Sequence, residues 1–254
     1  MAACECTIAF LTQIDAMSEA NTSNHFDHEI DQFDSQAAFW WDLNGPFKTL
    51  HQINPTRLKY ITDQVKLDGL NVLDVGCGGG IFSEALAAKG AAVTGLDLSK
   101  SSLQTAQLHL HESGQKVDYQ LQSIEDFAAA NPASQDVVCC LEMLEHVPDP
   151  ESIVDACLKA LKPGGWLFLS TLNRTPKAMM LGIFAAEHVL KIVPKGTHHF
   201  NQFIKPSELV KALQDKPLDI VDLSGMRYNP ITETASIDAE DLDINYFLTA
   251  KKNA

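Results

Sequence analysis

Basic residues are scarce. Lysine and arginine total 19 against 33 aspartates and glutamates, a formal net charge of −14 over 254 residues. A protein this acidic gains nothing from broad phosphate contacts, which argues against general nucleic-acid binding. No CxxC pair occurs among the six cysteines, Cys4, Cys6, Cys77, Cys139, Cys140 and Cys157. They read as reduced thiols of a cytoplasmic protein, not as a disulfide frame or zinc site. No run approaches the roughly 20 apolar residues that a membrane span needs. The opening MAACECTIAFLTQIDAM lacks a basic n-region and carries Glu5, so it makes a poor signal peptide. Residues 1–23 read as a disordered N-terminal extension, with Met17 as an alternative natural start.

What is present alternates. NVLDVGCGGG (71–80) is a short apolar strand entering a glycine loop, and IFSEALAAKG (81–90) is a helix closed by Gly90. Strands follow at 91–99, 117–122, 135–142 and 166–173, with helices at 100–114, around 124–131, and from 150 to about 162. Asp149-Pro150 is an N-cap followed by proline at the first helical position. A helix at 205–214 and two late strands, 218–229 and 243–252, complete the pattern. Strand–helix alternation predicts an α/β fold, a doubly wound Rossmann-like parallel sheet with helices on both faces. Residues 24–254 read as one domain, with a helical region at 24–69 before the first strand and an insertion at 174–204.

The loop DVGCGGG is not a dinucleotide fingerprint. GxGxxG started at Gly76 needs glycine at 81, where Ile81 stands; started at Gly78 it needs glycine at 83, where Ser83 stands. Asp97 ends the next strand, and a carboxylate there can accept hydrogen bonds from both hydroxyls of an adenosine ribose. A tight turn beside a solvated aspartate is the bland alternative. Loop, helix and spaced acid together carry more weight than the glycines alone.

Beyond the fourth strand, CLEMLEHVPDP brings Glu142, Glu145 and His146 to spacings i, i+3 and i+4, one face if that stretch is helical. Two carboxylates and an imidazole can hold a hard divalent ion, serve as a general base, or simply form the polar exit of a buried strand. In the 174–204 insertion, Met179, Ile183, Ala186, Leu190 and Val193 fall on one helical face, flanked by Arg174, Lys177, Lys191 and Lys195. That stripe fits either a packed helix or an interfacial helix on anionic lipid. His198 and His199 read as loop residues, and the pair Trp40-Trp41 favours a bulky apolar ligand.

DVGCGGG, GLDLS and LKPGGWLFLST together resemble the class I S-adenosylmethionine-dependent methyltransferases. FWWDLNGPFKTLHQINPTRLKYI, CLEMLEHVPDP, STLNRTPKA, VPKGTHHF and GMRYNPIT extend the resemblance to the ubiquinone-biosynthesis O-methyltransferase family, over about residues 24–250. The resemblance implies seven strands in the order 3-2-1-4-5-7-6, the last antiparallel. It implies S-adenosylmethionine contacts at Arg57, Gly76, Asp97 and Leu141, the last through its backbone. Residues alone would make Arg57 a solvated helix charge. Strand order places adenine near Ser123, Ile124 and Glu125.

The implied reaction is methylation of hydroxyls on polyprenylated phenol or catechol intermediates. Glu142 and His146 would be its catalytic residues. Mg²⁺ on Glu142, Glu145 and His146 is the metal-assisted version. Implied partners are the polyprenylated substrate, anionic lipid at 174–195 on the inner face of the cell membrane, and other ubiquinone-biosynthesis enzymes. The competing readings are an O-methyltransferase of another small phenol and a non-catalytic nucleotide-binding assembly protein.

Overall fold

A computed structural model describes residues 24–180 and 200–254. Residues 1–23, expected as an extension, lie outside the described residues. So do 181–199, which hold most of the expected amphipathic stripe together with Lys191, Lys195, His198 and His199.

One mixed sheet organises the chain. Its strands are β1 (Asn71–Val75), β2 (Ala92–Asp97), β3 (Val117–Leu121), β4 (Gln135–Leu141), β5 (Leu161–Leu172), β6 (Leu218–Asn229), β7 (Thr234–Asp238) and β8 (Asn245–Lys252). They lie in the order β3-β2-β1-β4-β5-β8-β6-β7. β1 to β5 pair in parallel, and β8 runs antiparallel between β5 and β6. The expected order 3-2-1-4-5-7-6 is therefore present, with β8 as its seventh strand. β7 is an added edge strand that forms a hairpin with β6.

The helices of seven or more described residues are α1 (Asp27–Gln36), α2 (Lys48–Thr62), α3 (Ile81–Ala87), α4 (Lys100–Ser113), α5 (Ile124–Ala130), α6 (Pro150–Ala160) and α7 (Pro206–Leu213). Local chemistry sets their ends. The hydroxyls of Ser99 and Ser123 accept N–H bonds at the starts of α4 and α5, and Asp149 does the same for α6. Gly114, left-handed at φ 69°, closes α4.

Both sheet faces are buried, which is why the strands read as continuous apolar runs. Successive β4 residues point to opposite layers. Val138 and Cys140 pack with Ile153, Val154 and Cys157 of α6, while Val137, Cys139 and Leu141 pack with Ile61 and Leu86 on the other face. Cys77, Cys139, Cys140 and Cys157 are buried free thiols. Tyr60 pins α2 to this second face, its hydroxyl bonded to Asp222 (2.6 Å) and Thr249 (2.8 Å).

The helical region before β1 does more than pack. α1 and α2 fold back over the carboxyl ends of β1, β2 and β4, where open α/β sheets bind ligands.

Candidate active site

A cleft of about 840 Å³ opens at the carboxyl ends of the central strands. Arg57, Gly76, Asp97, Leu141, Glu142 and His146 all line it, as do Ser123, Ile124 and Glu125. Glu145 does not; it is sealed behind, 2% exposed.

The glycine loop forms the floor. Gly76 adopts φ 73°, and a side chain there would press on Met143, its Cβ 2.7 Å from Met143 Cγ. Any side chain at Gly79 would collide with the Trp40 indole. Trp40 stacks on Phe47 (3.8 Å between ring centroids) and donates to Ser102 Oγ (3.0 Å). Trp41 donates to the Gly79 carbonyl (2.9 Å) and stacks on His109. The tryptophan pair therefore clamps the loop. Trp40 still lines the cleft, while Trp41 does not.

Asp97 receives the Gly78 N–H (2.8 Å) on one oxygen and the Ser99 N–H (2.7 Å) on the other. Burial raises its pKa, and these backbone donors oppose the shift. Each carboxylate oxygen keeps acceptor capacity for a further donor, as a vicinal diol requires.

Arg57 arrives from α2, two residues after Pro55, which the helix carries in its interior. It is buried, and its Nε and Nη2 have no hydrogen-bond partner among the described residues. Nη2 lies 3.6 Å from Glu142 Oε1. Burial lowers the pKa of this guanidinium, against the raising effect of Glu142, Asp74 and Glu145. A buried cation with unspent donors beside a glycine loop suits a carboxylate ligand. Asp74 is a cleft residue that sequence reasoning passed over. Burial pushes its carboxyl up to about 6, while the Ser83 hydroxyl (2.6 Å) and Arg57 hold it down. Its position two residues before Gly76 was the available signal.

The acidic cluster is not one helical face. Glu142 stands at φ 55°, in the left-handed region, and a single 3₁₀ turn spans Leu144–His146. The reversal aims the three side chains at different partners. Glu142 Oε1 accepts from Ser170 Oγ (2.7 Å) and Asn245 Nδ2 (2.6 Å). Glu145 Oε2 accepts from Thr171 Oγ1 (2.7 Å). His146 Nδ1 bonds Glu29 Oε2 (3.0 Å), a carboxylate of α1. Among the described residues no three histidine, cysteine or acidic side chains converge as a metal-holding group. The expected metal set of Glu142, Glu145 and His146 is thus not assembled. Glu145 is engaged in the protein interior, and Glu142 turns its Oε1 to Arg57, Ser170 and Asn245.

Burial and neighbouring Glu142 push the Glu145 carboxyl up to about 7. At His146 burial disfavours the charged ring, yet the hydrogen bond it donates to Glu29 and the surrounding carboxylates raise its pKa.

Two basic residues expected to flank a membrane-facing helix are engaged elsewhere. Arg174 pairs with Glu208 through both terminal nitrogens, and Lys177 lies 3.0 Å from Asp243 and 3.4 Å from Asp241. Met179 and Met180 beside them are exposed. No helix among the described residues is long and apolar enough to cross a membrane.

A mixed sheet of this order, a glycine loop after β1 and an acid ending β2 define a class I methyltransferase. The methyltransferase domain family matches residues 48–223. The backbone superposes on the magnesium protoporphyrin IX methyltransferase of Synechocystis PCC 6803, solved with bound SAH, at a TM-score of 0.63. The match has 21% identity and covers 88% of this chain and 94% of that one. The ubiquinone biosynthesis O-methyltransferase of Thiobacillus denitrificans is 51% identical over 226 residues, 89% of this chain and 97% of that protein. Its counterpart in Idiomarina loihiensis is 52% identical over 236 residues, 92% and 97%. The chain belongs to the ubiquinone biosynthesis O-methyltransferase family.

Proposed function

We propose that the protein transfers the methyl of S-adenosylmethionine to a hydroxyl of a polyprenylated phenol or catechol in ubiquinone biosynthesis. The observation that carries this is the single cleft joining Asp97, Arg57 and the glycine loop to Glu142 and His146 under an apolar wall of Phe26, Ile30, Phe33 and Leu50. Bound S-adenosylmethionine supplies an electrophilic methyl on a sulfonium. Asp97 would accept from its ribose, the fork of Arg57 would hold its carboxylate, and Gly76 and Leu141 would approach it through their backbones. The residues' remaining task is to hold a phenol oxygen in line and remove its proton. A phenol ionises near pH 10, so a base is needed at neutral pH. His146 is the base in this reading. Glu142 keeps Arg57 in place and adds negative potential beside the reacting centre.

Labelled methyl transfer to a short-chain demethylubiquinol analogue tests the proposal. Labelled product is expected, and none at any pH between 6 and 9 overturns it. The same assay in EDTA reads whether a divalent ion takes part. We further propose peripheral contact with anionic lipid through the 174–195 segment, supported by the exposed Met179 and Met180. Flotation of Met179→Glu/Met180→Glu protein with phosphatidylglycerol vesicles should show weaker binding than the unaltered protein. Equal binding overturns this contact.

A further inference from the structure

Glu29 belongs to no motif in the sequence, yet it is the buried residue of α1. Its side chain is 5% exposed and that of its partner His146 is 11% exposed. Taking a carboxylate out of water is expensive unless it is paired, so a fold that turns a glutamate inward here holds it there by a specific contact. That contact is the 3.0 Å bond to His146 Nδ1. One turn later on the same helix, Phe33 meets the His146 ring edge-on, with centroids 5.7 Å apart. α1 thus holds the imidazole at both its nitrogen and its edge. Glu29 and His146 both line the cleft. The second carboxylate oxygen of Glu29 has no hydrogen-bond partner among the described residues, with His28 Nε2 3.7 Å away.

We propose that Glu29 is the positioning residue for His146, fixing the tautomer that carries its proton on Nδ1 so that Nε2 accepts the proton of the substrate hydroxyl. A carboxylate can only accept, so the bond requires Nδ1–H to donate. The step balances. The phenol O–H proton passes to Nε2, the oxygen lone pair forms the O–CH₃ bond as the S–CH₃ bond breaks, and the imidazolium later releases one proton to water. Glu29 stabilises the imidazolium while it exists, without itself taking the proton. The acid–base machinery is therefore split between the exit of β4 and a helix that precedes the sheet.

This inference rests on the methyl-transfer reading, and the experiment separates the two. On the full chain, Glu29→Gln keeps the shape and removes the charge. Its kcat with the demethylubiquinol analogue should fall at least about tenfold, while SAH affinity by calorimetry stays within about twofold. In a His146→Ala background the same substitution should change kcat no further. An unchanged kcat overturns the proposal. So does an equal loss in SAH affinity, which would mark Glu29 as a latch on α1 alone. Nitrogen-15 NMR of the histidines in the unaltered protein gives a readout independent of turnover. The neutral ring of His146 should carry its proton on Nδ1, and finding it on Nε2 overturns the assignment even if methyl transfer itself is absent.

Discussion

Arg57 Nη2 lies 3.6 Å from Glu142 Oε1, an ion pair between a buried guanidinium and a half-buried carboxylate, just too long for a hydrogen bond. The arginine comes from α2, before the sheet begins, and the glutamate from the exit of β4. Their separation leaves the guanidinium charge-balanced with donors still unspent. That is the condition for taking a ligand carboxylate without first breaking a bond.

Arg57→Lys should keep the fold and lose the fork, weakening SAH binding by about tenfold, roughly 1.4 kcal/mol. Arg57→Ala should be worse on two counts. It removes the carboxylate contact and strands Glu142, so the melting temperature falls as well. Calorimetric titration with SAH and a thermal melt measure the two effects.

Asp97→Asn replaces an acceptor-only carboxylate with an amide that has one acceptor oxygen. It can still hold the Gly78 N–H or the Ser99 N–H, but not both together with the ribose hydroxyls. SAH affinity should drop by about 10- to 100-fold, with little change in KM for the phenolic substrate. Equal loss for both ligands would place Asp97 elsewhere in the mechanism.

Glu145 sets a pH dependence of stability. Its carboxyl titrates near 4.5 when solvated and is pushed up to about 7 in the fold. Below about pH 4.5 it is protonated in both states and contributes no pH dependence. Between these values the native state keeps a proton that the unfolded chain has lost, so stability falls as pH rises, and above about 7 the loss is complete. Glu145→Gln removes that penalty. Its melting temperature should exceed that of the unaltered protein by several degrees at pH 8, and by little at pH 4.5.

Asn24 lines the cleft and fastens its rim. Its amide donates to Glu125 Oε1 (3.0 Å) and the Asp149 carbonyl (2.8 Å) and accepts from the Asp149 N–H (2.8 Å). This fastens the chain entering α1 across the expected adenine side. Asn24→Ala should speed SAH release several-fold, since each such bond contributes on the order of 1 kcal/mol. Stopped-flow displacement of SAH gives the rate.

Much of the strand plan was legible. The apolar runs at β1 and β4, the glycine punctuation and the Asp149-Pro150 cap act within a few residues, so their signals survive in a linear reading. β6 was legible with both its ends, Leu218 and Asn229. β7 was not read. TASID is too short and too polar to announce itself, and it becomes a strand by pairing with β6. Arg57 was legible as a ligand contact only through family resemblance, because nothing in INPTR tells a buried guanidinium from a solvated one.

The sequence by itself determined the order of strands and helices, the place of the glycine loop, the acid at the end of β2 and the acidic cluster at the end of β4. These depend on periodicity and on short-range backbone chemistry. Only the tertiary structure decided what the cluster does. The positive φ at Glu142 breaks the helical register that the spacing suggested, so three residues close in sequence reach three separate partners. It also brought Glu29, 117 positions before His146, within 3.0 Å of the imidazole. Such pairings depend on how distant elements pack, and no local pattern encodes them.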